Sequence, residues 1–199
     1  MLSIVEGRVL GCLIEKERTV PDQYPLTMNV LIGACNQSTA REPVMHVGES
    51  DVQGALTSMK AEGFARVVHP SHGRSVTRYR HIADERLALD RPGSSILAIL
   101  LLRGPQTAGE LHARAMRLHE FASNTDVESC LTDLTDHGHV ERLERQPGQK
   151  EQRWKQLLAE EADFHPVQAS TGANAALAQR VVELEDRVAR LEAALADLL

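Results

Sequence analysis

Long apolar stretches are missing from this chain. Its longest unbroken aliphatic run is Ile96 to Leu102, far below the roughly 20 residues that a helix needs to cross a bilayer, so no membrane partner is expected. Cysteine is scarce: Cys12, Cys35 and Cys130 lie far apart in segments that read as helical, without the paired spacing of a zinc site or a disulfide framework. They are expected to be reduced thiols in or near a core. Aromatic residues make up only 3% of the chain, so that core must be built from Leu, Val, Ile, Ala and Met, as is common in helical proteins. Catalytic patterns are lacking too. There is no phosphate-cradling glycine loop, no histidine pair at metal-binding helical spacing and no nucleophile in a recognised motif; the expectation is a protein that is not an enzyme and uses no cofactor and no metal. The N-terminal stretch MLSIVEGRVLGCLIEKERTV lacks a basic start and a small-residue cleavage pattern, and a cytoplasmic location is expected from it.

An overall excess of positive charge is also absent. The formal net charge is -6, unevenly divided: residues 1–90 hold 10 Lys/Arg against 11 Asp/Glu, residues 91–158 hold 9 against 9, and residues 159–199 hold 3 against 8. The first two segments are near neutral, which neither supplies the strongly basic surface of many nucleic-acid binders nor excludes a local basic patch.

What the chain does contain is a repeat. The stretch VQGALTSMKAEGFARVVHPSHGRSVTRYR, from Val52, aligns without a gap on VESCLTDLTDHGHVERLERQPGQKEQRWK, from Val127, at an offset of 75 residues. Val52, Leu56 and Met59 meet Val127, Leu131 and Leu134 on one helical face; Gly63 meets Gly138, and Tyr79 meets Trp154. A duplicated supersecondary unit follows. Each copy reads as an amphipathic helix, with Ser50 and Gln53 or Thr125 and Glu128 at capping-box spacing, a glycine stop and a hairpin. Two helices are expected upstream of each copy: roughly Ile4–Lys16 and Thr27–Asn36, then Ser95–Arg103 and Ala108–His119. Three helices and a hairpin make a winged helix, whose third helix can enter a major groove while the wing touches the adjacent backbone.

The string YPLTMNVLIGACNQSTAREPVM, Tyr24 to Met45, resembles the signature of the YceH family of functionally uncharacterised bacterial proteins, as do GCLIEKERTVPDQYPLT before it and LLLRGPQTAGELHARAMRLHEF in the second half. The resemblance covers roughly residues 3–158 and implies a tandem winged-helix fold, without implying an activity. The expected fold is mainly α with small β-hairpins: winged-helix (helix-turn-helix) domains at 1–90 and 91–158, a flexible linker at 159–173 and a coiled-coil helix at 174–199.

Residues Phe64 to Ala83 carry Arg66, Arg74, Arg78 and Arg80 with His69, His72 and His81 and no acidic residue. The expected double-stranded DNA site joins Arg66, His72, Arg74, Arg78 and Arg80 of this wing, facing phosphate, to Gln53, Thr57 and Lys60 of the third helix, facing base edges. The plainer alternative is a solvated basic hairpin. Asp126, Glu128, Asp133 and Asp136 give the second copy's third helix the wrong sign for phosphate, so a protein partner or domain packing is expected there. Asn36, Gln37, Ser38 and Arg41 form a candidate ligand or partner loop, although closing the loop internally is the favoured role for such residues.

The tail carries Leu177, Val181, Leu184, Val188, Leu191, Leu195 and Leu198 at alternating spacings of four and three. Val at the a positions with Leu at d favours a parallel two-stranded coil, and Arg180 and Arg187 at g can meet Glu185 and Glu192 at e of the partner. A homodimer is expected, with a trimer or a helix folded back on its own domains as alternatives. A flexible fifteen-residue linker spans roughly 20 Å root-mean-square, so the coil would tether two bodies and raise weak affinity by effective concentration. The expected function is a dimeric transcriptional regulator that binds DNA through its first domain. A non-enzymatic protein-interaction adaptor is the alternative.

Overall fold

The computed structural model describes residues 1–69, 76–145, 148 and 151–160. All seven seam residues from Leu177 to Leu198, and the wing-tip residues His72 and Arg74, lie outside the described residues. The structure is mainly helical with two small antiparallel sheets.

Helix α1, Ile4–Thr19, starts where expected: the Ser3 hydroxyl accepts from Glu6 N–H while the Glu6 carboxylate accepts from Ser3 N–H. A 3-10 turn at Pro21–Gln23 leads to the two-residue strand β1, Leu26–Thr27, and the Thr27 hydroxyl caps α2, Met28–Cys35. After a loop comes α3, Glu49–Ala61, then strands β2, Ala65–Val68, and β3, Arg78–His81, and a short helix α4, Ala83–Leu87. The second half runs α5, Arg91–Arg103; α6, Ala108–Ala115; α7, Asn124–Asp136; β4, Val140–Arg142; and β5, Trp154–Gln156. Gly63 and Gly138 follow α3 and α7 with φ of +78° and +71°, the left-handed conformation that glycine adopts at least cost after a helix.

Several boundaries differ from the sequence expectation for local reasons. Helix α3 is capped from Gly48, whose N–H donates to the Asp51 carboxylate at 2.8 Å, so Ser50 and Gln53 form no capping box and Gln53 is free to lie on the helix face. Helix α7 is capped by the Ser123 hydroxyl, which accepts from Asp126 N–H, rather than by Thr125 with Glu128. Helix α5 begins four residues early because Asp90 caps Gly93 N–H and Pro92 fits the first turn. Helix α6 stops at Ala115, short of His119. Strand β1 and helix α4 were not expected.

Strand β1 extends the duplication beyond the ungapped alignment. In the first sheet, ordered β1-β3-β2, Leu26 pairs with Tyr79. In the second half an isolated bridge joins Gln106 to Trp154. Each bridging residue stands between a proline, Pro25 or Pro105, and the threonine that caps the next helix, Thr27 or Thr107.

Two apolar clusters fill the halves. Leu10, Leu13, Leu31, Val52, Leu56 and Met59 are buried in the first, and Ile96, Leu97, Leu111, Val127, Leu131 and Leu134 in the second, so all six repeated face positions lie inside. Burying each such side chain contributes about 1.5–3 kcal/mol. The described residues form one compact unit, in which α1 packs along α5. The approach is close: a Cβ added at Gly11 would lie 2.9 Å from Leu102 Cγ, and one at Gly7 would lie 2.6 Å from Ala159 Cβ. Leu2 N–H donates to Leu158 C=O and Glu160 N–H to Leu2 C=O, both at 2.8 Å, closing the seam at the chain ends of the unit.

Candidate nucleic-acid interface

Helix α3 buries Val52, Ala55, Leu56 and Met59 and turns Gln53, Gly54, Thr57 and Lys60 to solvent. Among the described residues Gln53 Nε2 reaches only its helix neighbour Thr57 Oγ1, at 3.4 Å. Nothing lies within 4 Å of the position a Cβ would take at Gly54, so this face is open along its middle turns. The β2–β3 hairpin follows directly after Gly63, and its described arginines stand in two different settings. Arg66 and Arg80 both approach one carboxylate, Glu85 of α4, at 3.3 and 3.5 Å, with side chains 58% and 42% exposed. Exposed pairs of this kind contribute about 0–1 kcal/mol, and one carboxylate between two guanidinium groups leaves net positive charge.

Arg78 is held differently. Its guanidinium donates to the backbone carbonyls of Pro25, at 2.8 Å, and Gln23, at 3.3 Å, clamping the segment before β1 onto β3. Its repeat partner Arg153 does the same, donating to Pro105 C=O at 2.8 Å, but also binds the Glu110 carboxylate at 3.0 and 3.3 Å. Arg78 and Arg153 are therefore one repeated clamp. Among the described residues, a carboxylate pairs with the clamp in the second half alone, where Glu110 meets Arg153.

Of the loop residues, Asn36 and Arg41 turn inward. Asn36 donates from Nδ2 to Val47 C=O and accepts from Val47 N–H, at 2.9 and 2.8 Å. Arg41, with a side chain 0% exposed, donates to Glu15 at 2.7 Å, to Gln37 Oε1 at 2.8 Å, and to the carbonyls of Ala34 and Ala40. Burial opposes ionisation of Glu15, but hydrogen bonding to Arg41 and the charges of Arg41 and Lys16 outweigh it and hold the carboxyl below its usual range. Ser38 is exposed. Asn36, Gln37 and Arg41 thus hold α1, α2 and the loop together, while Gln37, Ser38 and Thr39 stay exposed at its turn.

The second half presents the opposite field. Asp126, Glu128, Asp133 and Asp136 are exposed on α7. An open groove of about 650 Å³ beside it is lined by Asp90, Glu120, Asp126 and Asp133, by His119, His137 and His139, and by apolar residues such as Leu89 and Phe121, a described lining that offers phosphate no lysine or arginine. Cys130 also lines this groove, and burial pushes its thiol up to about 12. In the hairpin, Lys155 is bound to Glu141 at 2.6 Å, and Arg142 stacks over the Trp154 ring at 5.5 Å.

His81 belongs to the same basic stretch of sequence as the wing arginines but takes no part in its exposed surface. It is buried, with Nε2 3.1 Å from Glu17 Oε2. The hydrogen bond to His81 keeps the Glu17 carboxyl below its ordinary range against partial burial, whereas burial raises the nearby Asp84 carboxyl. Sequence reading missed this group because Glu17 stands 64 residues before His81, and no local spacing joins them.

Comparison with known proteins matches residues 2–149 to a family described as "Protein of unknown function, DUF480". A UPF0502 protein of Dechloromonas aromatica (strain RCB) is 42% identical over 200 residues, covering 99% of this chain and 92% of that protein. UPF0502 proteins of Geotalea uraniireducens (strain Rf4) and Geobacter sulfurreducens are each 46% identical, covering 96% and 100% of this chain and 87% and 90% of their own lengths. Over nearly full length and at this identity, the chain belongs to the DUF480 (UPF0502) family, the bacterial family to which its YceH-like strings pointed.

Proposed function

We propose that this protein is a dimeric, non-enzymatic winged-helix regulator that binds double-stranded DNA in the cytoplasm through its first half. In this reading α1, α2 and α3 with the β2–β3 hairpin form one winged helix, and α5, α6 and α7 with the β4–β5 hairpin form another. Helix α3 enters the major groove with Gln53, Thr57 and Lys60 towards base edges, while Arg66 and Arg80, together with His72 and Arg74 at the wing tip, meet phosphate. The tail from residue 174 pairs two copies.

The observation that carries the proposal is the difference between two halves built alike. The polar face of α3 is open and adjoins hairpin cations that share a single weak carboxylate contact. The matching face of α7 is acidic, and its hairpin cations Arg153 and Lys155 are bound to Glu110 and Glu141. Phosphate affinity depends on cations that release counterions on binding, and a surface carboxylate paired at 3.3–3.5 Å is readily exchanged for phosphate.

Fluorescence anisotropy with a labelled duplex tests this. Binding should weaken steeply as salt rises, and Lys60→Ala, Arg66→Ala and Arg80→Ala should each lower affinity and reduce the salt slope by about one where a phosphate contact is lost. A protein that binds no duplex at low salt removes the proposal.

A further inference from the structure

The base of the β2–β3 hairpin holds a group of side chains for which DNA contact has no use. His81 ends β3 with a side chain 2% exposed; its Nε2 faces Glu17 of α1, and its Nδ1 has no hydrogen-bond partner among the described residues. Asp84 follows three residues later in the first turn of α4, and its Oδ1 is likewise buried and without a partner among the described residues. Buried polar atoms in native structures are nearly always satisfied, so each exception calls for a cause. One donor atom from each of Glu17, His81 and Asp84 lies within 4.8 Å of the other two.

We propose that Glu17, His81 and Asp84 form a binding site for a divalent transition-metal cation of the zinc class. An imidazole nitrogen with two carboxylate oxygens is a donor set that zinc accepts, with a fourth position left to water. Calcium would demand six to eight oxygens, and magnesium a near-ideal octahedron, neither of which three side chains including a histidine provide. Metal–donor bonds of about 2.0–2.2 Å place tetrahedral ligands roughly 3.5 Å apart. Glu17 and His81 already stand 3.1 Å apart, so a small rotation of the half-exposed Asp84 side chain completes the triangle.

Arg18 is the competing cation. Its guanidinium lies 3.5 Å from both Glu17 and Asp84, long contacts that neutralise the carboxylates when no metal is present. Its Nε is buried without a partner among the described residues. A bound metal displaces this guanidinium and ties α1 to the end of β3 and the start of α4. The site is independent of the DNA reading, though it would stiffen the root of the same hairpin.

Titration of the full-length protein with zinc alone by calorimetry, and with cobalt alone followed by its visible absorption, tests the site. One equivalent should bind, and Glu17→Gln and Asp84→Asn should each weaken binding by more than the roughly tenfold that loss of an outer-shell partner already costs. Arg18→Gln should tighten it several-fold, an effect that a purely structural role for the cluster would not produce. Circular dichroism confirms that each variant is folded; His81→Gln, which alters a buried position, is read only beside the two carboxylate variants. Absence of saturable binding, or binding that both carboxylate changes leave intact, as for metal held by His137 and His139, overturns the proposal.

Discussion

Arg41 and Glu15 show how one residue pair fixes a loop that would otherwise read as a binding segment. Removing the guanidinium would strand a largely buried carboxylate and leave the carbonyls of Ala34 and Ala40 without their donor. Arg41→Met should therefore destabilise the fold by about 3–5 kcal/mol, the usual cost of breaking a buried pair from one side, measured by urea unfolding. The pH dependence follows from the sign of the Glu15 shift. Its folded carboxyl lies below the ordinary 4.5, so the pair's contribution is complete above that value and is lost as pH falls through the depressed one. The urea midpoint should drop on acidification below about pH 4.5, and Glu15→Gln should flatten that part of the curve. Gly54 is the contrasting residue, exposed in mid-helix with open space around it. Gly54→Ala should raise stability by up to about 1 kcal/mol, read in the same unfolding experiment. The polar, turn-closing character of the Asn36–Arg41 loop was legible in the sequence. The identity of Arg41's partner was not, because Glu15 belongs to another helix and only packing brings the two together.

At the scale of elements, the helical faces and glycine stops could be read directly, since Val52, Leu56 and Met59 recur as Val127, Leu131 and Leu134 and all six are buried. Caps were harder to read. The strings GESD and SNTD each offer more than one residue able to satisfy a free N–H, and the backbone chose the earlier start in both, at Gly48 and Ser123. Strand β1 is only two residues long, so its signal lies in pairing with Tyr79 rather than in any local pattern. The Pro-x-Thr string at Pro25 and at Pro105 does mark it, at a spacing of 80 residues that an ungapped alignment offset by 75 cannot register. Because Arg78 clamps that string to β3, Arg78→Ala should lower thermal stability as well as any DNA affinity, whereas Arg80→Ala, which removes a 3.5 Å contact to the exposed Glu85, should leave stability within about 0.5 kcal/mol of wild type. Helix α1 makes a different demand on α5. Gly11→Val would force side-chain atoms against Leu102, and overpacking of this kind should cost about 1–3 kcal/mol, seen as a lowered urea midpoint.

For the whole molecule, a repeated unit whose two copies differ in charge is the organising fact. Both halves keep the three helices, the hairpin, the glycine stop and the arginine clamp, yet one offers exposed cations beside an open polar helix face and the other an acidic groove. The charge asymmetry was readable from residue counts along α7. The pairing of Arg153 and Lys155 with carboxylates was not, since both depend on side chains brought near by the fold. If the tail seam joins two copies, light scattering should give about twice the monomer mass for the full chain and a single mass for a chain ending near Leu158. Hydrogen–deuterium exchange with and without duplex DNA tests the central claim most directly. The account predicts slowed exchange in α3 and the β2–β3 hairpin, Glu49–Ala61 and residues 65–81, with α7 unchanged; protection of α7 instead, or of neither helix, would contradict it.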